Sequence, residues 1–254
     1  MTNNKLPGWW KSDKPWIIGD CIGVMKGMPD ECIDLVVTDP PYNIGDTNKI
    51  TKKNGIVMSN KECWGEWDNY DYDEYLKYIF EVMKEFDRIL KKSGSTVIFY
   101  DKFYMTYLHD FGKSIGWHPS NFYAIVKNQP LPHIRMSGFR SGFELAVIFN
   151  KNKDKRKFNF LEQKEMNNYY KYNNTMHETE HPTEKPLEPF IRFVKIFTDE
   201  SNIVFDPFLG SGTTLKACRL TDRIGLGCEI NPDYEEIIRN RSMDDIEGID
   251  KFLE

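Results

Sequence analysis

Asp39-Pro40-Pro41-Tyr42 is the segment of this chain whose residue types speak most directly of chemistry. It follows Ile33-Asp34-Leu35-Val36-Val37-Thr38, an apolar run that reads as a buried parallel strand. Two successive prolines fix the backbone and remove amide donors, and Pro41 pushes Pro40 towards an extended conformation. What remains is a convergent set of acceptors, the carbonyls and the Asp39 carboxylate, matched to a group with two N–H donors such as an exocyclic amine. Tyr42 adds a flat face for stacking an unpaired base, worth roughly 1–3 kcal/mol per base. A proline-rich turn without chemical consequence is the plain alternative. Ligands of open α/β sheets bind outside the carboxyl ends of strands, and that position favours the chemical reading.

A second segment runs from Ile203-Val204-Phe205 through Asp206-Pro207-Phe208-Leu209-Gly210-Ser211-Gly212 to Thr213-Thr214. A strand enters a turn with two glycines and leaves as a helix. Glycines let a backbone approach a ligand closely, and a helix N-terminus favours an anionic group such as a carboxylate. The third glycine of a dinucleotide fingerprint is absent. Glu229 ends the next strand about twenty residues on, where an acid can accept from ribose hydroxyls. The GxG turn alone is weak evidence; the series strand, GxG, helix, strand, Glu is much stronger.

The elements that must position these groups alternate. Helical spacing of Leu76, Ile79, Phe80, Met83, Phe86, Ile89 and Leu90 predicts a helix from about Asp73, its N-cap, to Lys92, with Gly94 as its stop. Thr96 to Tyr100 reads as a strand, followed by a helical stretch to about Ile115. Further strands are expected at Asn121 to Val126 and Glu144 to Phe149. A helix starts at Pro186, a strand spans Ile224 to Cys228, and Asn231-Pro232 marks the N-cap and first position of a last helix. Residues 43 to 70 lose periodicity and predict a long loop, a length uncommon unless functional or disordered. Residues 150 to 178 are a compositional break of lysines, asparagines and tyrosines. The fold expected is α/β, a doubly wound, mostly parallel sheet.

Taken as an ordered set, the motifs resemble the β-class DNA amino-methyltransferases (N6-adenine and N4-cytosine). In that class a DPPY motif precedes the target-recognition region and an FxGxG motif lies near the C-terminus, the order of Asp39–Tyr42 and Phe208–Gly212 here. Gly19-Asp20-Cys21, Trp64-Gly65-Glu66-Trp67-Asp68 and His181-Pro182-Thr183-Glu184-Lys185-Pro186 are further matches, and the resemblance covers roughly residues 16 to 240. It implies a Rossmann-like S-adenosylmethionine-dependent methyltransferase domain with a small target-recognition insertion. Residues 1–127 would form its catalytic half, 128–178 the recognition region and 179–254 the cofactor half. Asp39, Pro40, Pro41 and Tyr42 would be catalytic, Asp39 and the Pro40 carbonyl accepting from the amine of a flipped base. Asp206, Phe208, Gly210 and Gly212 would line the cofactor pocket, Phe208 against its adenine. Ser211, Thr213 and Cys21 would stand beside them. Glu229 would hold the ribose hydroxyls, Asp20 the adenine amino group, and Lys185 would neighbour the methionine carboxylate. Asp20 and Asn231 have a local alternative as turn or cap residues. DPPY in place of the SPPY common among the cytosine enzymes favours N6 of adenine, with N4 of cytosine left open; methylation of an amine in RNA or protein, or a catalytically silent methylase-like DNA-binding subunit, is the more distant alternative.

Composition limits the partners. The net charge of −5 does not advertise a nucleic-acid binder, yet basic residues crowd Lys127 to Lys157, opposed there only by Glu144 and Asp154. Arg135, Arg140, Lys151, Lys155, Arg156 and Lys157 are the candidate contacts to double-stranded DNA, Arg135 and Arg140 reading guanines or holding phosphates. The recognition region is short, which points to a homodimer or a short target site. No signal peptide or apolar span is seen, and five cysteines without a CxxC pair suggest reduced thiols. A cytoplasmic protein, prokaryotic or phage-encoded and acting on nucleoid or restriction–modification targets, is expected, with no membrane and no metal. His177-Glu178-Thr179-Glu180-His181 fits the HExxH zinc pattern. Pro182 disfavours helix at His181, and no apolar stripe precedes the motif, so the metalloprotease reading is set aside.

Overall fold

The structure, a computed structural model, describes residues 8–11, 14–42, 50–51, 57–58, 72–130, 136–173 and 185–243. In chain order these form β1 (Trp16–Ile18), α1 (Cys21–Lys26), β2 (Ile33–Thr38), the short strands β3 (Ile50–Thr51) and β4 (Val57–Met58), and α2 (Tyr72–Ile89). Next come β5 (Leu90–Tyr100), α3 (Met105–Ser114), β6 (His118–Lys127), β7 (Phe143–Asn150) and β8 (Tyr169–Tyr172). The chain closes with α4 (Leu187–Phe197), β9 (Ile203–Asp206), α5 (Thr213–Arg219), β10 (Ile224–Glu229) and α6 (Glu235–Met243).

One sheet of eight strands, in the order β1-β10-β9-β2-β5-β7-β6-β8, organises everything else. β1, β10, β9, β2 and β5 run parallel, β7 is antiparallel to both neighbours, and β8 adds parallel to β6. The expected doubly wound α/β fold is thus present. The strand alternation explains the layers. Leu35, Val37, Val97 and Phe99 point to one face, where they pack on Phe190, Phe193 and Val194 of α4 and on Ala217 and Cys218 of α5. Val36, Ile98, Tyr100, Phe205 and Leu226 point to the other, against α1, α2 and α3.

β2 and β9, far apart in sequence, are hydrogen-bonded neighbours, Leu35 beside Val204 and Val36 beside Phe205. The two motifs therefore leave adjacent strands at the same carboxyl edge. β1 lies beyond β10, so the amino-terminal stretch flanks the carboxyl-terminal strands on both sides.

Three local expectations differ from what is found. Helix α2 runs from Tyr72 to Ile89, so Asp73 lies inside its first turn rather than capping it, and β5 begins at once, so Gly94 is a strand residue rather than a helix stop. Its role is close approach: a Cβ there would lie 2.9 Å from the Lys91 carbonyl oxygen and 3.2 Å from that of Asp34. Second, the compositional break contains a strand, Tyr169-Tyr170-Lys171-Tyr172, whose aromatic residues suit an edge strand although it lacks an apolar run. Third, Asn231 does cap, its side chain accepting from the Asp233 amide, but the turn it caps is a 3-10 turn before α6. Of the long loop, only the paired strands β3 and β4 are described. Trp64–Asp68, Arg135, the HExxH segment and His181–Glu184 lie outside the described residues.

The aromatic layer between sheet and α4 generates a test. Phe193 is 1% exposed and packs against Phe99 and Tyr123. Phe193→Ala should cost about 3–5 kcal/mol, whereas Phe103→Ala, at a side chain 74% exposed, should stay within about 0.5 kcal/mol. Urea unfolding midpoints measure both.

Candidate active site

β2 delivers Asp39 and Tyr42 to the carboxyl edge in fixed relation to one another. The Tyr42 hydroxyl donates to Asp39 Oδ1 at 2.5 Å, and its ring meets Tyr100 edge-on at 5.9 Å. Burial, then the Asp39 carboxylate, push the Tyr42 phenol well above its ordinary range, so it remains a donor. Asp39 Oδ2 accepts from the ammonium of Lys185, which is 8% exposed. Lys185 Nζ also lies 2.9 Å from Glu144 Oε2, and Lys127 Nζ lies 2.5 Å from Glu144 Oε1. Burial opposes ionisation of Glu144, but the charges of Lys185 and Lys127 prevail and hold its carboxyl at about 2. Burial likewise opposes the Lys185 charge, and Asp39 and Glu144 outweigh it, raising that ammonium above its usual range.

One strand away, Asp206 joins this acceptor group to the glycine turn. Its Oδ1 accepts from the Thr38 hydroxyl at 2.9 Å and the Phe208 amide at 3.0 Å, and its Oδ2 from the Thr214 hydroxyl at 2.6 Å. Thr38 immediately precedes Asp39, so a single carboxyl group ties the end of β2 to the start of α5. Gly210 (φ 51°) and Gly212 (φ 80°) turn the chain through the left-handed region, where a side chain would be strained. Glu229, 7% exposed, steadies the turn: Oε2 accepts from the Gly210 amide and Oε1 from the Asn231 amide, both at 2.9 Å. Burial raises its carboxyl group. The Gly19 amide donates to the Glu229 carbonyl at 2.8 Å and brings Asp20 and Cys21 alongside. Ser211 Oγ accepts from Arg241 at 2.6 Å and lies 3.2 Å from the Thr213 hydroxyl, fastening α6 to the turn.

The structure thus brings Asp39, Tyr42, Asp206, Phe208, Gly210, Ser211, Gly212, Thr213, Glu229, Asn231, Asp20 and Cys21 to one edge of the sheet. Phe208 and Tyr42, both half-buried, rest on the same hydrophobic cluster and so face the same side. Asp20 caps α1, accepting from the Gly23 amide at 2.7 Å, and the Cys21 thiol, pushed up to about 12 by burial, meets the Tyr78 hydroxyl at 3.2 Å. Lys185, expected beside a cofactor carboxylate, sits between two carboxylates of the chain itself. Glu144 and Lys127, read from sequence only as part of a charge count, are the unforeseen members. An acid at the start of the strand expected from Glu144 to Phe149 is the available signal.

The basic candidates divide. Arg140 belongs to the connection between β6 and β7, at the carboxyl edge, where its guanidinium donates to the Pro130 carbonyl and where Met136 and Phe139 stand 94% and 102% exposed. β7 runs the other way, so the residues after Asn150 emerge at the opposite edge. There Lys151 reaches the Asp87 and Leu90 carbonyls, Lys157 pairs with Asp199 at 2.5 Å, and Arg156 lies over Phe158. Lys155 is exposed on that same edge. Among the described residues no group of three His, Cys, Asp or Glu side chains is placed to hold a metal, and no helix is long and apolar enough to cross a membrane.

With this geometry in view, residues 33–240 match the family model for N6/N4 DNA methylases. The chain belongs to the DNA methylase family. Relatives include the type II methyltransferase M.HpaI of Haemophilus parainfluenzae, 27% identical over 95% of this chain and 78% of that one. M.BglII of Bacillus subtilis is 31% identical over 86% of this chain and 66% of its own length. The DNA adenine methyltransferase YhdJ of Escherichia coli (strain K12) is 28% identical over 87% and 80%. Among solved structures, PvuII DNA methyltransferase (cytosine-N4-specific) superposes with a TM-score of 0.72 at 19% identity, covering 93% of this chain and 89% of that one. M1.HpyAVI, solved as its SAM complex, has a TM-score of 0.64 at 24% identity over 89% and 97%. At these identities the structural likeness speaks for the fold.

Asp206 gives this edge of the sheet a pH signature. Burial dominates its three hydrogen bonds and raises its carboxyl from an ordinary 3.8 to about 7. The folded protein keeps a proton that the unfolded chain releases, so this stabilisation is complete below about pH 4 and fades as the pH rises through about 7. Melting curves from pH 5 to 8 should therefore show Asp206→Asn losing part of the decline in stability seen in the native sequence. Parallel slopes in the two proteins would rule out this assignment.

Proposed function

We propose that this methylase transfers the methyl group of S-adenosylmethionine to the N6 amino group of adenine in double-stranded DNA, after flipping the base. The observation that carries the reading is the adjacency of β2 and β9, which sets the Asp39–Tyr42 acceptors beside the glycine turn at one edge of the sheet. The turn suits the cofactor. Glu229 accepts from the Gly210 and Asn231 amides, its carboxylate keeps acceptor capacity for a ribose hydroxyl, and Phe208 offers an apolar face to an adenine. Asp206, Gly210, Ser211, Gly212, Thr213 and Asn231 would shape that cradle, with Asp20 and Cys21 at its rim. When bound, the cofactor supplies an electrophilic methyl on a sulfonium, a good leaving group.

The chain's own part is orientation. A base inside a duplex is out of reach, so the target leaves the stack and finds the Tyr42 ring. Asp39, with the Pro40 carbonyl, accepts the amine hydrogens and turns the nitrogen lone pair to the methyl. Acceleration comes from positioning and electrostatics, and the amine proton becomes acidic only as nitrogen acquires positive charge. Asp39 favours adenine within the family, as does the name of YhdJ.

Contact with DNA is assigned to the β6–β7 connection. Arg140 provides charge, and the exposed Phe139 and Met136 have the character of side chains that insert beside an unstacked base. Lys151, Lys155, Arg156 and Lys157, at the far edge, have no part in this contact.

Labelled S-adenosylmethionine with unmethylated genomic DNA, followed by nucleoside separation, tests the chemistry. Label should appear in N6-methyladenosine and fall by about 10²-fold or more in Asp39→Ala. Label in N4-methylcytosine would replace the base, and unlabelled DNA with intact cofactor binding would end the DNA reading. Arg140→Glu should weaken DNA affinity several-fold and flatten its salt dependence, while the double change Lys155→Glu, Arg156→Glu leaves both near the native values. Fluorescence anisotropy at several salt concentrations separates the two edges.

A further inference from the structure

Four alternating charges run in a chain through the acceptor side of the site: Lys127, Glu144, Lys185 and Asp39. Each end has a meaning. Asp39 is the acceptor for the target amine in the function proposed above, on which this inference rests. Lys127 and Glu144 stand at the two ends of the β6–β7 connection, in strands that pair with each other. Lys185 lies just ahead of α4, on the carboxyl edge.

We propose that Lys185 and Glu144 form a positioning pair that aims the Asp39 carboxylate at the target amine, Glu144 sharing the ammonium so that Asp39 keeps acceptor capacity for its substrate. A carboxylate offers about four lone-pair directions. The Tyr42 hydroxyl takes one on Oδ1 and Lys185 takes one on Oδ2, which pins both oxygens and leaves the rest for the amine's two hydrogens. A buried ammonium facing Asp39 alone would concentrate its donors there and compete with the substrate. Glu144 at 2.9 Å gives it a second anion, and Lys127 balances that anion in turn. The four charges sum to zero, which lets them stay charged in a largely enclosed site; deletion of one member leaves its partner uncompensated. Lys185 also lies 5.8 Å from the Tyr42 ring centre and 5.7 Å from that of Phe99, so its position is fixed on the apolar side too. Its charge, held above the ordinary range by the two carboxylates, makes it a standing donor and not a proton shuttle.

A ligand of the cofactor carboxylate would behave differently, and Lys185→Met separates the roles. The expected result is a fall of about 10²-fold in kcat for DNA methylation, the scale of a small misplacement of reacting groups, with the calorimetric Kd for S-adenosylmethionine within about threefold of native. Lys185→Arg should recover part of the loss, since it restores the charge. Glu144→Gln should lower kcat about tenfold with the same unchanged Kd; it decides the matter if Lys185→Met fails to fold. A Kd raised more than tenfold with near-native kcat at saturating cofactor would make Lys185 a cofactor ligand and overturn the pair. Native kcat in both variants would overturn it as well. Should the native chain bind cofactor yet leave DNA unlabelled, the functional reading fails by itself. Crystal structures of the native chain and Lys185→Met then decide the positioning: an Asp39 side chain unmoved by the substitution refutes it, and a displaced one upholds it.

Discussion

The buried carboxyl group of Asp206 is the constraint on which the site depends. Three donors converge on it, from Thr38 at the end of β2, from the Phe208 amide in the turn and from Thr214 on α5. Strand pairing alone sets β2 beside β9 but leaves the segments beyond their ends free to diverge. Asp206 removes that freedom at the residue before Asp39. Methyl transfer in line needs both partners held to a fraction of an ångström, because a misplacement of about 1 Å can cost 10²-fold. A buried polar group with three converging donors is suited to this work, since each broken bond would strand a polar atom away from water.

The carboxyl groups of this edge divide by environment. Asp206 and Glu229, among backbone amides and hydroxyls but no cation, are raised by burial. Glu144, only half-buried, is held at about 2 by two ammonium groups. Contrasting environments give like side chains different tasks. The side of the glycine turn is built from hydrogen-bonded acids, and the side of Asp39 from paired charges that hold its carboxylate in place.

Much of this was legible in sequence, for physical reasons that differ by element. β2 and β9 declared themselves because strands buried on both faces are continuous apolar runs, and because each ends in a segment with unusual backbone demands. Lys185 illustrates the limit: its segment is recognisable, yet its partners Asp39 and Glu144 come from other strands, and no spacing in the chain reveals such pairings. Lys151 and Lys157 looked like one surface with Arg140 because they are close in sequence; an antiparallel strand of eight residues, Phe143 to Asn150, carries them to the far edge. Gly94 reads as a helix stop in sequence because a glycine required by close backbone approach looks the same as one required by a cap. β8 escaped notice since an edge strand of tyrosines buries little and needs no apolar run.

In the function proposed, the acceptor group of β2 and the glycine turn of β9 serve a single transfer between a bound cofactor and a base. A crystal structure of the chain with S-adenosylhomocysteine tests this most directly. The expected result is ribose hydroxyls on Glu229, the adenine against Phe208, and the sulfur facing the Asp39–Tyr42 acceptors across a gap that a flipped base can fill. A cofactor seated away from the Gly210–Gly212 turn, or with its sulfur turned from Asp39, would contradict it.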